Sequence, residues 1–405
     1  MEGLLHKNPR RTNFVIMTPT SHSNNDRISE VLALISQGEN SSVEFKSANA
    51  HPDSLAKEMV AFTNTQGGAL LIGVEDDGRI SGLTESVDHE ARIANIARNS
   101  INPPITIESA IVEMPEGRVL MVKVERSRDR PYQTLQNQFL VRVGSTNRTT
   151  TQGELLRLFQ QAGLFHYDAT AVQGTRIADL NLAALDRHFS QYGFNLSAED
   201  DKPRILANAD VMTENGEVTV AGLLLFGFNP QRHLPYAGIS FAHFAGHEIT
   251  EDLIDEQVIE GALGFQVDSA LAVLRNNLQR PSRIQGAHTE DATFQYPEKV
   301  FQELLVNAVV HRNYAITGSR IRVQLFTDRI EFISPGRLPN SVSIAKLSIG
   351  VSYAVNPIIV KFMENMRYMD RLGRGLPMVW QTARKNQREI RFEEIGEEFR
   401  VVLGR

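Results

Sequence analysis

The chain has no cysteine, which excludes disulfides, thiolate metal sites and cysteine nucleophiles; any metal must rest on carboxylates, carbonyls or histidines. It has no apolar run of the roughly 18–20 residues that a membrane-crossing helix needs. Its first stretch carries Lys7, Arg10 and Arg11 but only a short apolar run, Phe14 to Met17, too brief for the core of a secretory signal. The formal charge of −6 excludes a uniformly basic coat for nucleic acid, though not a local basic face. There is no internal repeat and no low-complexity tract. What remains is ordinary globular material: 405 residues, 41 % hydrophobic and 22 % charged. At roughly 100–200 residues per domain, that is two or three domains, expected in the cytoplasm.

Along the chain, helical and strand-like patterns alternate, which predicts a multidomain α/β (α+β) protein. Residues 1–26 read as a flexible arm. Residues 27–163 form a first domain with a mixed sheet. In it a helix over 53–66, capped by Asp53 or Ser54, stops at Gly67-Gly68, and the strands after residue 105 run antiparallel. Residues 164–290 read as a connector or dimerisation region, in which 218–227 is a strand or buried element, 237–246 a strand, 259–279 one long helix and 280–295 a polar linker. Residues 291–405 form an α/β sandwich.

The last segment carries the sharpest motif. On a helix over 297–311, Glu303 and Asn307 lie one turn apart and share a face, while Leu304, Leu305 and Val306 turn toward a core. An amide oxygen beside a carboxylate can hold a hydrated Mg²⁺ and polarise a water near a phosphate; the same spacing also fits a solvated helix face. A strand then leads into Ser334-Pro335-Gly336-Arg337-Leu338, and Gly373-Arg374-Gly375 opens a helix, where glycines let the backbone approach an anion. His311 and Arg312 stand at the motif helix's end, within reach of phosphate, although His311 fits a packed helix end equally well.

This ordered set resembles the GHKL ATPase superfamily over residues 296–400, closest to the ATP-binding domain of proteins described as predicted transcriptional regulators. The resemblance implies ATP as ligand. Asn307 would chelate Mg²⁺, Glu303 would orient or activate water, and Gly373 and Gly375 would lie at the phosphates. Where the superfamily places an aspartate on the adenine amino group, this chain has Ser334, a weaker acceptor.

In the first domain, Glu44 and Lys46 share one face of a short strand, with Val43 and Phe45 on the other. If the strands ending at Lys46 and before Asp76 are neighbours, Glu39, Glu44 and Asp76 converge. Their mutual repulsion would call for a divalent cation, as in a metal-dependent phosphodiesterase. Equally, Glu44–Lys46 fits a surface pair and Glu75-Asp76-Asp77-Gly78 a polar turn. The order ENSSVEFK, AFTNTQGGALLIGVEDDG, RPYQ and FLVRVGSTN resembles the Schlafen AlbA-type domain. Some members of that family cut RNA with two glutamates and an aspartate as metal ligands, which the resemblance carries over to Glu39, Glu44 and Asp76, with Glu75 or Asp77 as substitutes and Mn²⁺ as the metal; others only bind DNA or RNA. Basic residues cluster nearby. Arg126, Arg128 and Arg130 alternate, so an extended segment would aim all three one way, with Arg142 farther along, Lys46 from the first strand as a further candidate for nucleic acid, and Tyr132 and Phe139 near enough in sequence to stack on bases. The alternative is a solvated strand edge.

The middle histidines, His188, His233, His243 and His247, lack metal spacing. The expectation is therefore an ATP-binding, nucleic-acid-binding regulator or defence protein, dimeric as related ATPases often are, in which nucleotide state controls engagement of DNA or RNA. Two alternatives remain open: an ATP-gated, metal-dependent endonuclease, and a non-enzymatic scaffold with a degenerate nucleotide site.

Overall fold

The computed structural model describes residues 24–250, 252–278, 296–350, 353–369 and 373–405. Most of the expected arm, the 280–295 linker and Asp370-Arg371-Leu372 lie outside these residues. Two compact units account for the chain. The first is Met1–Arg126 with Tyr132–Thr149; the second is Ser127–Pro131 with Thr150–Arg405.

The first unit runs α1 (Asn24–Gln37), β1 (Val43–Lys46), α2 (Pro52–Asn64), β2 (Gly67–Ile72), α3 (His89–Asn99), β3 (Ile101–Asn102), β4 (Glu108–Met114), β5 (Gly117–Glu125), β6 (Gln133–Thr134), β7 (Leu140–Val143) and β8 (Thr146–Thr149). Its main sheet has the order β1-β2-β5-β4. The β1–β2 pair is parallel and the other two pairs are antiparallel. Strand alternation builds three layers. Leu70, Ile72, Leu120, Val122 and Val124 pack with the α2 and α3 side chains Met59, Phe62 and Ile93. Val43, Phe45, Leu71, Val119 and Met121 pack with Val31 of α1. Helix α2 starts at Pro52, with His51 rather than Asp53 or Ser54 as its cap, because proline at the first helical position already has the helical φ. It ends before Gly67, whose φ of +82° and close approach to the Val124 carbonyl exclude a side chain.

The second unit runs α4 (Gln152–Gln161), α5 (Leu182–Ser190), α6 (Lys202–Asn208), α7 (Val220–Phe226), β9 (Ile239–Phe244), β10 (Leu253–Ile259), α8 (Leu263–Leu278), α9 (Glu298–Val310), β11 (Ile321–Leu325), β12 (Arg329–Pro335), α10 (Ile344–Leu347), α11 (Pro357–Asn365), α12 (Gly375–Lys385), β13 (Ile390–Ile395) and β14 (Glu398–Gly404). One sheet of order β10-β9-β11-β12-β14-β13 is its frame, with β9 and β11 parallel and the other neighbours antiparallel. The inward residues Phe241, Val323, Phe332, Val401 and Leu403 share a core with Val267 of α8, Val300 and Leu304 of α9 and Val379 of α12. Arg322, Glu331, Arg400 and Glu398 occupy the alternate positions, joined by ion pairs such as Arg322–Glu398 at 2.6 Å and Arg400–Glu331 at 3.1 Å.

Strands β9 and β10 come from the 164–290 stretch and pair into the same sheet as β11 to β14. Helix α4 groups with the second unit, not the first. The 218–227 segment is helix α7: every residue from Val220 to Phe226 is buried and Thr219 caps it, and an apolar run this short has no period that separates strand from helix. The expected 259–279 helix is shorter, because Gly261 takes φ +109° and the residues before it form β10. Among the described residues no helix is long and apolar enough to cross a membrane.

A Cβ on Gly68 would lie 2.6 Å from the Phe62 ring and 2.8 Å from the Ser42 carbonyl oxygen. Gly68→Ala is therefore expected to destabilise the protein by about 1–3 kcal/mol, read as a lower urea midpoint of the transition that loses the first unit's structure.

Candidate functional site

Helix α9 buries Val300, Phe301, Leu304, Leu305, Val309 and Val310 and leaves Lys299, Glu303 and Asn307 along one line, each a turn from the next. The Asn307 side-chain amide donates to the Glu303 carboxylate Oε1 and to the Glu303 carbonyl, both at 2.7 Å. Both partners are acceptors, so the amide nitrogen must face them and Oδ1 is turned away. The first residue of α12, Gly375, rests on this pair: a Cβ there would lie 1.5 Å from Glu303 Oε1. Gly373, at φ +61°, sets up the approach.

Two adjoining cavities meet along α9. The polar one, about 1190 Å³ of empty space, is lined by Lys299, Glu303, Asn307, Gly373, Arg374 and Gly375. The apolar one, which opens to solvent and with that solvent takes in about 790 Å³ of empty space, is walled by Ala308, Phe332, Ser334, Leu338, Val342 and Val401, and also by Gly336. Asn307, His311, Tyr353 and Leu376 line both. The buried Ser334 hydroxyl donates to the Ala308 carbonyl at 2.9 Å; with its proton committed, its oxygen remains an acceptor toward the slot. Gly336, at φ +120°, would place a Cβ 2.8 Å from that of Asn313, so the turn into the slot admits no side chain.

His311 and Arg312 part ways. His311 lines the cleft, and burial pushes its pKa down to about 4, which makes it a neutral imidazole at pH 7. Arg312 does not line either cavity. It is 1 % exposed and donates through Nη2 to the carbonyls of Tyr236, Ile316 and Ser319 at 2.8–3.2 Å. Its expected reach to phosphate is therefore corrected: it ties the chain after α9 to the loop before β11 and to Tyr236. Lys299 and Tyr353 were missed from the sequence. Lys299 was readable as the residue one turn before Glu303; Tyr353 had no local signal.

In the first unit, Val43 and Phe45 face α1 and Glu44 and Lys46 face the other way, as strand parity required. Glu44 is not a surface residue, however. It is 5 % exposed, one carboxylate oxygen accepting from Arg142 Nη2 at 2.5 Å and the other paired with Lys46. Glu58 of α2 joins them, 3.1 Å from Arg142 Nη1 and 3.7 Å from Lys46 Nζ, and accepts from Asn147 at 2.5 Å. Burial, and then the charge of Glu44, raise the Glu58 pKa. Lys46 is also raised: burial opposes its charge, but the hydrogen bond to Glu44 and the fields of Glu58, Glu44 and Glu39 prevail. Glu39 turns a carboxylate oxygen onto the Phe45 amide at 3.0 Å. Asp76 lies on an exposed turn. Among the described residues no group of three or more histidines and carboxylates is placed to hold a metal ion; the partner that the fold brings to Glu44 is Glu58, with two cations between them.

The expected basic stripe is dispersed. Strand β5 stops at Glu125, so the alternation does not continue through residues 126–130. Arg130 is 2 % exposed and donates through Nε to the Ser127 carbonyl at 3.0 Å. Arg142 is committed to Glu44, Glu58 and the Asn40 carbonyl. Tyr132 is buried in the core and cannot stack on a base. Arg128 is exposed, and Arg126 and Phe139 are partly exposed. Of the middle histidines, His188 is packed among Phe189, Phe226 and Phe362, His243 contacts Asn277 at 3.0 Å, and His247 lies 3.3 Å from Asp328.

Fold and site define a mixed α+β chain in two units, the second with a cleft between a helix bearing Glu303 and Asn307 and a glycine-opened helix. Residues 39–151 match the family model described as Schlafen, AlbA_2, and residues 318–403 match that described as putative ATP-dependent DNA helicase RecG C-terminal. The second match takes in Ser334, Gly336 and Gly373–Gly375 but begins after α9. No curated protein matches the chain. Among solved structures, the chain is similar to the DIP2311 protein from Corynebacterium diphtheriae, at 21 % identity over 94 % of this chain and 70 % of that one, with a TM-score of 0.44. It is also similar to the N-terminal domain of a putative ATP-dependent DNA helicase RecG-related protein from Nitrosomonas europaea, at 22 % identity over 32 % of this chain and 94 % of that one, with a TM-score of 0.25.

Two outcomes follow. Arg142→Ala leaves two carboxylates buried against each other and is expected to cost about 3–5 kcal/mol, measured by urea unfolding. For His311 the folded pKa is depressed, so the unfolded chain takes up a proton first as pH falls; stability declines from about pH 6.5 toward about 4. His188, also lowered by burial, acts in the same direction. His311→Gln should therefore flatten, without abolishing, the fall in unfolding midpoint across that window.

Proposed function

We propose that the second unit binds ATP with Mg²⁺ in the α9–α12 cleft, in the manner of a GHKL-type site, and that the first unit engages DNA or RNA, with nucleotide state regulating that engagement. The observation that carries the reading is Gly375 seated on the Glu303–Asn307 pair at the mouth of a cleft that is polar at one end and apolar at the other. The residues fit the ligand's parts. The apolar slot between Phe332, Leu338, Val342 and Val401 suits a flat base, and the Ser334 oxygen can accept from an amino group on it. The α12 N-terminus, opened by Gly375, favours phosphate, with Lys299 on the same wall. Asn307 Oδ1, turned away from Glu303, is the hard oxygen donor that Mg²⁺ takes. The cation, when bound, would neutralise phosphate charge. Glu303, its carboxylate oriented by the Asn307 amide, is placed to polarise a water.

The nuclease reading draws less support. Glu44 has both oxygens engaged by Arg142 and Lys46, and a metal would have to displace a cation that Glu44 and Glu58 share.

The test is binding of labelled ATP with Mg²⁺ to the purified chain. Asn307→Ala is expected to weaken it by about 10–100-fold, the usual effect of removing a metal ligand or its orienting partner. Gly375→Ala, which drives a methyl group into the Glu303 carboxylate, should do at least as much, with circular dichroism unchanged in both. Wild-type affinity in both variants, or no binding to the parent chain, would overturn the reading. Labelled single-stranded DNA and RNA, scored for retention and for cleavage with Mn²⁺, separate a binding module from a nuclease.

A further inference from the structure

We infer that Asn340 couples occupancy of the cleft to the two connecting segments through which the chain passes between its units; the inference rests on the nucleotide reading above. Those segments are Ser127–Pro131 and the stretch that begins with α4, and both group with the second unit. Both end on Asn340. Its main-chain N–H donates to the carbonyl of Gln161, the last residue of α4, at 3.0 Å. Its side-chain Nδ2 donates to the Arg130 carbonyl at 3.2 Å, and its Oδ1 accepts from the Arg130 guanidinium. Arg130 is itself buried and braced on the Ser127 carbonyl, so the grip is on the segment and not on a loose side chain.

Asn340 does not line the cleft, but its neighbours do: Leu338, Pro339 and Val342 wall the apolar slot. Two further contacts run the same way. Gly163, two residues beyond α4, would place a Cβ 2.5 Å from the Tyr353 hydroxyl, and Tyr353 lines both cavities. Arg157 of α4 and Arg337 of the slot wall both approach Glu397, at 3.6 and 3.3 Å. A base seated between Phe332 and Val342 therefore bears on the stretch 338–342, which holds both connecting segments through Asn340. A ligand that binds better with that wall in one position must bias the segments with it, and by linkage the segments must bias the ligand.

Amide hydrogen exchange on the full chain, with and without ATP and Mg²⁺, tests this. In the parent chain, peptides covering 127–131 and 152–163 should exchange about fivefold or more slowly with ATP, in the range of ordinary coupling energies, alongside peptides of the cleft itself. Asn340→Ala should lose the slowing in the two connecting segments and, by the same linkage, change ATP affinity by at most about fivefold. Asn340→Asp keeps the acceptor for Arg130 and should retain most of it. Slowing confined to cleft peptides in the parent chain would overturn the coupling and leave the nucleotide site standing. Absence of ATP binding altogether would remove both. Should the alanine variant fail to fold, the parent chain and the aspartate variant still decide the matter.

Discussion

A carboxylate with no room for a methyl group beside it organises the second unit. Glu303 is largely buried, and a buried carboxylate demands donors. Asn307 supplies one from a turn away, and Gly375 supplies clearance. Because α12 can meet α9 there only without a side chain, Gly375 opens the helix where Lys299, Glu303 and Asn307 line the cleft. The apolar slot lies beside the same pair: Ala308 of α9, Phe332 of β12 and Val401 of β14 line it.

The first unit uses the same residue types to the opposite end. Glu44, Glu58, Lys46 and Arg142 form a closed set in which each carboxylate meets a cation and Arg142 also satisfies the Asn40 and Val43 carbonyls. Ion pairs of this kind add little net stability over apolar packing, but breaking one is costly because the partner is left buried and charged. The set fixes the β7–β8 hairpin against α2 and β1: Arg142 comes from the hairpin, Glu58 from the helix and Glu44 from the edge strand. Glu44, Lys46 and Arg142, which the sequence offered for chemistry, are thus occupied by one another and by Glu58.

Much of this was legible in the chain itself. Helix α9, the short strand carrying Glu44, the placing of Glu303 and Asn307 on one helix face, and the split of Glu44 and Lys46 from Val43 and Phe45 all follow from local period, because a side chain's direction on a helix or strand depends only on residues within a turn or two. The glycines at 373 and 375 could be singled out because backbone freedom is a property of the residue.

What the sequence could not decide were the pairings made at a distance. That β9 would lie beside β11, that Gly375 would meet Glu303 and not merely follow it by seventy-odd positions, that Arg142 would turn inward to Glu44 while Arg128 stayed in water, and that Asn340 would hold Arg130 and Gln161 at once are all choices among partners remote in the chain. Charge and size make such partners acceptable to one another, but many residues here meet that standard. Only the packed sheet and its helices, by fixing which backbones come close, select among them.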